Sequence, residues 1–385
     1  MSVVAAAGFR TAGIAAGIKS SGDPDMALIA ADESVAAAGV FTTSRTAAPP
    51  VLVSREHLAD GNARAVIVNS GAANAGTGRP GLEDAQEMAT VTSTALGCDP
   101  SDVLVCSTGP IGGRLPMGRI RAGIDRLVPE LGVGSAHGEQ ASRGILTTDS
   151  IPKSAVVRGD GWTVGGIAKG AGMVRPDLAT MLAFLTTDAA VDSRTLTETL
   201  RAAAEVTFNS LNIDGCQSTN DTVLVLASGM SGVAPDRHAF AAALEEACRS
   251  LALQMAADAE GASKVVTLEV VGAFDDRSAR RVGMAVADSA LVRSSFFGAD
   301  PNWGRILAAL GVAGVELEPS AVSIAYAGNT VCAEGVAVGV DDDAVSAELK
   351  GDFMVTIGLG DGPGRATVVT TDLTPDYVVF NGERS

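Results

Sequence analysis

Residues 168–182 read AKGAGMVRPDLATML and run on as AFLTTDAAV to 191, and this stretch decides how the chain divides into strands and turns. A strand-like run at 162–168 leads into it. Lys169-Gly170-Ala171-Gly172 can turn tightly, Pro176 stiffens the approach to Ala179, and TMLAFLTTDAAV (180–191) reads as a buried strand. Outward from it, ALIA (27–30), AVIVN (65–69), VLVCS (103–107), 154–158 and TVLVLAS (222–228) are further strand-like runs. Helical patterns fall at 83–96, 118–127 and 138–145, and Ser193 is the expected cap of a helix reaching about Val206. The pattern is mixed α and β.

The turn-rich SGMSGVAPD (228–236) precedes the longest helical pattern, Arg237 to about Ala257. It is the expected boundary between domains at 1–235 and 236–385. A strand at 264–273, two helical stretches and a group of short strands with glycine turns make up the second. At ~100–200 residues per domain, 385 residues suit two such units.

The chain is 46% hydrophobic but only 4% aromatic, with 45 glycines, so its cores are built from Ala, Val, Leu and Ile around small residues. Lys and Arg total 28 against 45 Asp and Glu, a net charge of −17 that repels phosphate backbones and anionic lipid heads. Neither nucleic acid nor membrane is an expected partner. No apolar run approaches the ~18–20 residues of a membrane span, and MSVVAAAGFR lacks a basic segment before its short apolar stretch. Five widely spaced cysteines without a C-x-x-C pair suit reduced thiols in a cytoplasm.

Several chemistries are missing. No Gly-Lys dipeptide exists for a Walker A loop, and neither G-x-S-x-G nor H-E-x-x-H occurs. GTGRPG (76–81) matches G-x-G-x-x-G, but it starts seven residues after AVIVN and reads as a loop before a helix. His57, His137 and His238 sit in polar contexts and read as surface residues.

Two segments remain. The Lys169 turn could offer backbone N–H groups and an ammonium to an anion, ahead of Ala179-Thr180 at the head of an apolar strand. On spacing alone, the plainer reading of a solvated lysine on a glycine turn is the stronger. CSTGPIGGRLPM (106–117) follows a strand, where Thr108 offers a hydroxyl and Gly109 an amide, as an oxyanion hole requires. Such turns after strands are also ordinary connections.

Together, NSGAANA (69–75), STGPIGGRLPM (107–117), TTD (147–149), AKGAGMVRPDLATML (168–182), STNDT (218–222), DAEGASK (258–264) and GADPNWGR (298–305) resemble the ornithine acetyltransferase family, also called the bifunctional glutamate N-acetyltransferase family of arginine biosynthesis. The resemblance runs through nearly the whole chain. It implies a two-domain α/β fold with sheets sandwiched by helices, and a precursor that cuts itself at Ala179-Thr180. Thr180 then carries both nucleophile and base, because a free α-amino group with a reference pKa of ~7.7–8.0 can accept the hydroxyl proton near neutrality.

By the same resemblance, Thr180 takes the acetyl group of N-acetylornithine and passes it to glutamate, with Thr108 and Gly109 stabilising the oxyanion. Thr147, Lys169, Thr180, Glu260 and, less securely, Asn381 carry over as substrate-binding residues. No metal or cofactor is implied, and the expected assembly is an oligomer of two cleaved chains. Three departures stand out: Pro110 has no N–H to contribute, Gly76 replaces a cysteine common in the family, and NGERS is a short, charged tail in which Ser385 is no secure ligand. The lack of a P-loop or basic cluster argues for acetylornithine as the predominant donor over acetyl-CoA. Two other readings are a hydrolase or aminopeptidase with the same nucleophile, and a non-catalytic carboxylate-binding protein.

Overall fold

The computed structural model describes residues 2–175 and 181–383. Ala179, Thr180 and Ser385 lie outside the described residues, as does the start of the strand expected at 180–191. The chain is mixed α/β and forms two compact units, residues 1–208 with 216–255 and residues 209–215 with 256–385. This division differs from one at 235/236, because the long helix beyond that point packs with the first unit. Its Phe240 ring stands 5.7 Å from that of Trp162, and its Gln254 bonds to Ser154 in both directions.

In chain order the first unit holds β1 (Phe9–Ile14), β2 (Met26–Phe41), α1 (Pro49–His57), β3 (Asn62–Ser70), α2 (Gly78–Leu96), β4 (Val103–Thr108), α3 (Met117–Leu127) and α4 (Ser135–Gly144). It continues with β5 (Lys153–Arg158), β6 (Thr163–Lys169), β7 (Leu182–Thr187) and α5 (Ser193–Val206). After a two-residue strand of the other unit, β8 (Leu211–Asn212), come β9 (Thr222–Ala227) and α6 (Arg237–Ala257). The sheet runs β4-β3-β2-β9-β7-β6-β5, with β1 beside β2.

Alternation along the strands feeds two cores. Ala65 and Ile67 of β3 with Val103 and Val105 of β4 pack on Met88 of α2 and Ile120 and Ile124 of α3. On the other face, Val66, Val68, Leu104 and Cys106 join Ala141 and Ile145. Because both faces are covered, β4, β7 and β9 are buried along their whole length and read as continuous apolar runs. The helices follow from 3.6-residue spacing: Ala85, Met88, Ala89 and Thr92 line the buried face of α2, which stops at Gly97 in the left-handed conformation. The cap of α5 is Asp192, which accepts from the Thr195 amide, and not Ser193.

β2 is the element that shapes the site. It pairs with β3 through Met26–Ala36 and with β9 through Ala36–Phe41, with an irregularity in the β3 pairing between Ala30 and Val35. The chain just before β9 then meets the end of β4, where Asn220 Nδ2 donates to Ser107 O at 2.9 Å and Ala73 O at 2.7 Å.

The second unit is built on a sheet ordered β13-β12-β11-β14-β10-β15-β8. Its elements are β10 (Val265–Ala273), α7 (Asp276–Asp288), α8 (Ala290–Phe297), α9 (Trp303–Leu310), β11 (Ser323–Tyr326), β12 (Asn329–Ala333), β13 (Val336–Ala337), α10 (Asp342–Glu348), β14 (Phe353–Gly358), β15 (Gly364–Thr371) and α11 (Pro375–Gly382). Val266, Leu268 and Val270 of β10 pack with Ala279, Val282 and Val286 of α7 in its core. Three helices, not two, follow β10; the turn between α8 and α9 holds Ala299 at a positive φ of 52°.

Candidate active site

Lys169 ends β6 with its side chain buried, and its ammonium donates to Thr147 Oγ1 at 2.7 Å and to Thr108 Oγ1 at 3.1 Å. Three residues that sequence reasoning singled out, 22 and 61 positions apart along the chain, thus meet around one cation. With its oxygen accepting from Lys169, the Thr108 hydroxyl keeps its own proton to donate.

Gly109 follows with φ +136°, and a Cβ there would lie 2.6 Å from the Ala72 nitrogen and 2.7 Å from the Gly71 carbonyl carbon. Only glycine fits so close an approach of two backbones. The same approach lets Ala72 N–H donate to Thr108 O at 3.1 Å and Ala73 N–H to Pro110 O at 3.1 Å. Pro110 therefore contributes its carbonyl to the turn although it has no N–H. Gly76 and Gly78 have positive φ, and of GTGRPG only Gly76 and Thr77 precede α2, whose first turn is Gly78–Gly81, so the stretch expected to be a loop is largely helical.

Sequence reasoning did not single out Asp149, which organises the cluster. Its Oδ1 accepts from Gly170 N at 2.7 Å and Lys153 Nζ at 2.6 Å, and its Oδ2 from Thr147 N at 3.2 Å. The Lys153 and Asp149 side chains have no solvent exposure. Burial alone would push the Asp149 carboxyl up, but the charges of Lys169 and Lys153 and the Gly170 amide hold it below the usual carboxylate range.

Asp221, just before β9, was also missed. Its Oδ1 accepts from the Met181 amide at 2.8 Å, while Thr222 N donates to Met181 O at 3.1 Å. The residue after Thr180 is thus held at both of its backbone groups. Burial drives the Asp221 carboxyl well above the usual range, against the Met181 hydrogen bond and the Lys169 charge. An acidic residue heading an apolar run, NDTVLVLA, was the signal in the sequence.

Glu260 and Asn381 belong to the second unit. Glu260 is half-buried in the turn between α6 and β10, and Asn381 is exposed on α11, where it donates to Tyr377 O at 3.1 Å. The two lie on adjoining elements: a Cβ on Gly261 would stand 2.3 Å from the Tyr377 nitrogen, and Thr374 Oγ1 donates to Gly261 O. The rest of DAEGASK is tied down by the buried Asp372, which accepts from Ser263 N at 2.8 Å and Lys264 N at 3.1 Å. In GADPNWGR, Asn302 caps α9 by accepting from Arg305 N at 3.2 Å.

Among the described residues, no helix is long and apolar enough to cross a membrane. Comparison with known proteins gives a match of residues 10–385 to the ArgJ family. An arginine biosynthesis bifunctional protein ArgJ from Thermobifida fusca is 48% identical over 387 residues, covering 100% of both chains. A relative of the same name from Streptomyces coelicolor is 46% identical over 387 residues, again with 100% of both covered. Of solved structures, the arginine biosynthesis bifunctional protein argJ of Bacillus halodurans is 37% identical with a TM-score of 0.51, covering 52% of this chain and 98% of that one. The ornithine acetyltransferase of Mycobacterium tuberculosis, solved with ornithine, is 45% identical with a TM-score of 0.45, covering 47% of this chain and 95% of that one. A match running from residue 10 to the last residue, joined by full-length relatives at 46–48% identity, leaves one assignment: the chain belongs to the ArgJ family.

Proposed function

We propose that the chain cuts itself at Ala179-Thr180 and then moves the acetyl group of N-acetylornithine to glutamate through an acetyl-Thr180 intermediate, in arginine biosynthesis. The observation that carries this is the register Lys169↔Leu182. It sets the strand that follows Thr180 against the lysine that already holds Thr108 and Thr147. The length relation to the Bacillus halodurans chain adds support: 98% of that chain is matched by 52% of this one, as a single segment of a divided protein would be.

In the processing step the Thr180 hydroxyl oxygen bonds to the Ala179 carbonyl carbon, the peptide C–N bond breaks, and water releases the resulting ester. In transfer, the same oxygen attacks the acetyl carbonyl and its proton goes to the new α-amino group. Thr108 O–H and Gly109 N–H donate to the oxygen that becomes negative, where one such donor contributes ~3–4 kcal/mol. Ornithine leaves with a proton, and the glutamate nitrogen attacks the acetyl ester by the reverse path. Lys169 and Thr147 serve the substrate carboxylate, and Glu260 and Asn381 are kept as the further substrate-binding residues that the resemblance implies.

The bifunctional name of the relatives favours a second activity over the single-donor expectation, and acetyl-CoA-dependent acetylation of glutamate is proposed for it. The working form is an oligomer of two cleaved chains in the cytoplasm. Denaturing electrophoresis with intact mass tests the reading: segments of 179 and 206 residues support it, and an undivided chain of 385 residues refutes it.

A further inference from the structure

Asp221 takes no part in the chemistry above, yet it grips the residue next to the nucleophile. Its side chain is fully buried, Oδ1 accepts the Met181 amide at 2.8 Å, and Oδ2 has no hydrogen-bond partner among the described residues. Its backbone carbonyl is fixed too, accepting from Thr42 N at 2.9 Å. An unpaired buried polar atom is costly, and an amide oxygen would also accept the Met181 N–H without placing a carboxylate in so buried a position. Holding Met181 therefore does not explain why an acid stands here.

Three covalent bonds separate the α-nitrogen of one residue from the nitrogen of the next, so the two are within about 4 Å in any conformation. Asp221 thus grips the backbone nitrogen next in sequence to the one that cutting before residue 180 frees as an amine. We propose that Asp221 is the positioning residue for the α-amino group of Thr180, holding Met181 through Oδ1 and accepting an amine N–H through Oδ2. The lone pair is thereby aimed at the Thr180 hydroxyl. When the hydroxyl oxygen bonds to the acetyl carbon, its proton passes to the amine, and the carboxylate pairs with the ammonium so formed. On collapse the ammonium returns that proton to the departing ornithine nitrogen, and Asp221 exchanges no atom. The ammonium is also the counter-ion that a buried carboxylate lacks.

This inference rests on the Thr180 reading, and Asp221→Asn in the full chain separates the two. The α-amino group does not exist before the cut and Asn keeps an acceptor for Met181, so the variant should cleave as the wild type does. Its kcat for transfer should fall about tenfold or more, with KM for acetylornithine changed less than about threefold. The rising limb of kcat against pH should move to lower pH, because the ammonium has lost the anion that stabilises it. Wild-type kcat with an unmoved limb overturns the inference, and so does a folded variant left uncleaved. Asp221→Ala gives a second measurement: formate should restore part of its transfer rate, and a folded, cleaved variant indifferent to formate contradicts the role. An uncleaved wild type overturns both readings, whereas a cleaved wild type with an unaffected Asp221→Asn overturns this one alone.

Discussion

The amide of Gly170 donates to Asp149 Oδ1 at 2.7 Å. That bond fixes the backbone where β6 ends, directly after Lys169, and the other carboxylate oxygen fixes Thr147. The ammonium and the hydroxyl are thus held by one acid. Asp149→Asn should weaken substrate use through KM more than through kcat, by about tenfold or more, since a charge-assisted hydrogen bond contributes about 1.5–3 kcal/mol. Steady-state kinetics on the cleaved variant checks this, and Lys153→Met combined with Asp149→Asn should recover stability but not KM.

Removing the ammonium itself should affect the substrate more than the fold. Lys169→Ala is expected to lower kcat/KM for acetylornithine by about 10–100-fold, the range that corresponds to the same 1.5–3 kcal/mol. A kcat/KM equal to wild type would return Lys169 to a packing role.

Gly109→Ala tests the turn behind the oxyanion donors. The added Cβ would meet backbone atoms at 2.6 and 2.7 Å, and the φ of +136° is strained for any side chain, so neither neighbour can yield cheaply. We expect a loss of about 1–3 kcal/mol of stability in denaturant titration together with a fall in kcat. A variant of unchanged stability contradicts the packing seen at Ala72.

The two buried acids should respond to pH in opposite senses. Asp149 has its folded pKa depressed, so its stabilisation is present above the unfolded value of about 3.9 and is lost as pH falls through the folded value. Asp221 has its folded pKa raised, so stability declines as pH rises above the unfolded value and through the folded one. In an uncleaved Thr180→Ala background, Asp221→Asn should therefore melt higher than Asp221, by a margin that widens from acid to neutral pH. Thermal melts across that range check the sign.

Much of the layout was legible because burial leaves a pattern. The helix at Arg237–Ala257 and the strands at β4 and β9 follow from apolar spacing bounded by turns. β2 was visible only as ALIA, since Asp32, Glu33 and Ser34 are exposed where its pairing shifts and so interrupt the apolar run. α1 was missed because Pro49-Pro50 followed by VLV resembles an extended turn, although proline suits the first helical turn. At the site, Thr108, Thr147 and Lys169 were legible through their motifs. Asp149 and Asp221 were not: Asp149 bonds Thr147 and Lys153 nearby but also Gly170, 21 residues on, and Asp221 bonds Met181, 40 residues back, and those distant partners are brought together only by the sheet.

The most direct measurement is the intact mass of the purified wild-type protein before and after a brief exposure to N-acetylornithine without glutamate. The account predicts segments of 179 and 206 residues, with the second gaining one acetyl group on Thr180 that glutamate then removes. A single chain of 385 residues, or cleaved segments that never carry acetyl on Thr180, would contradict it.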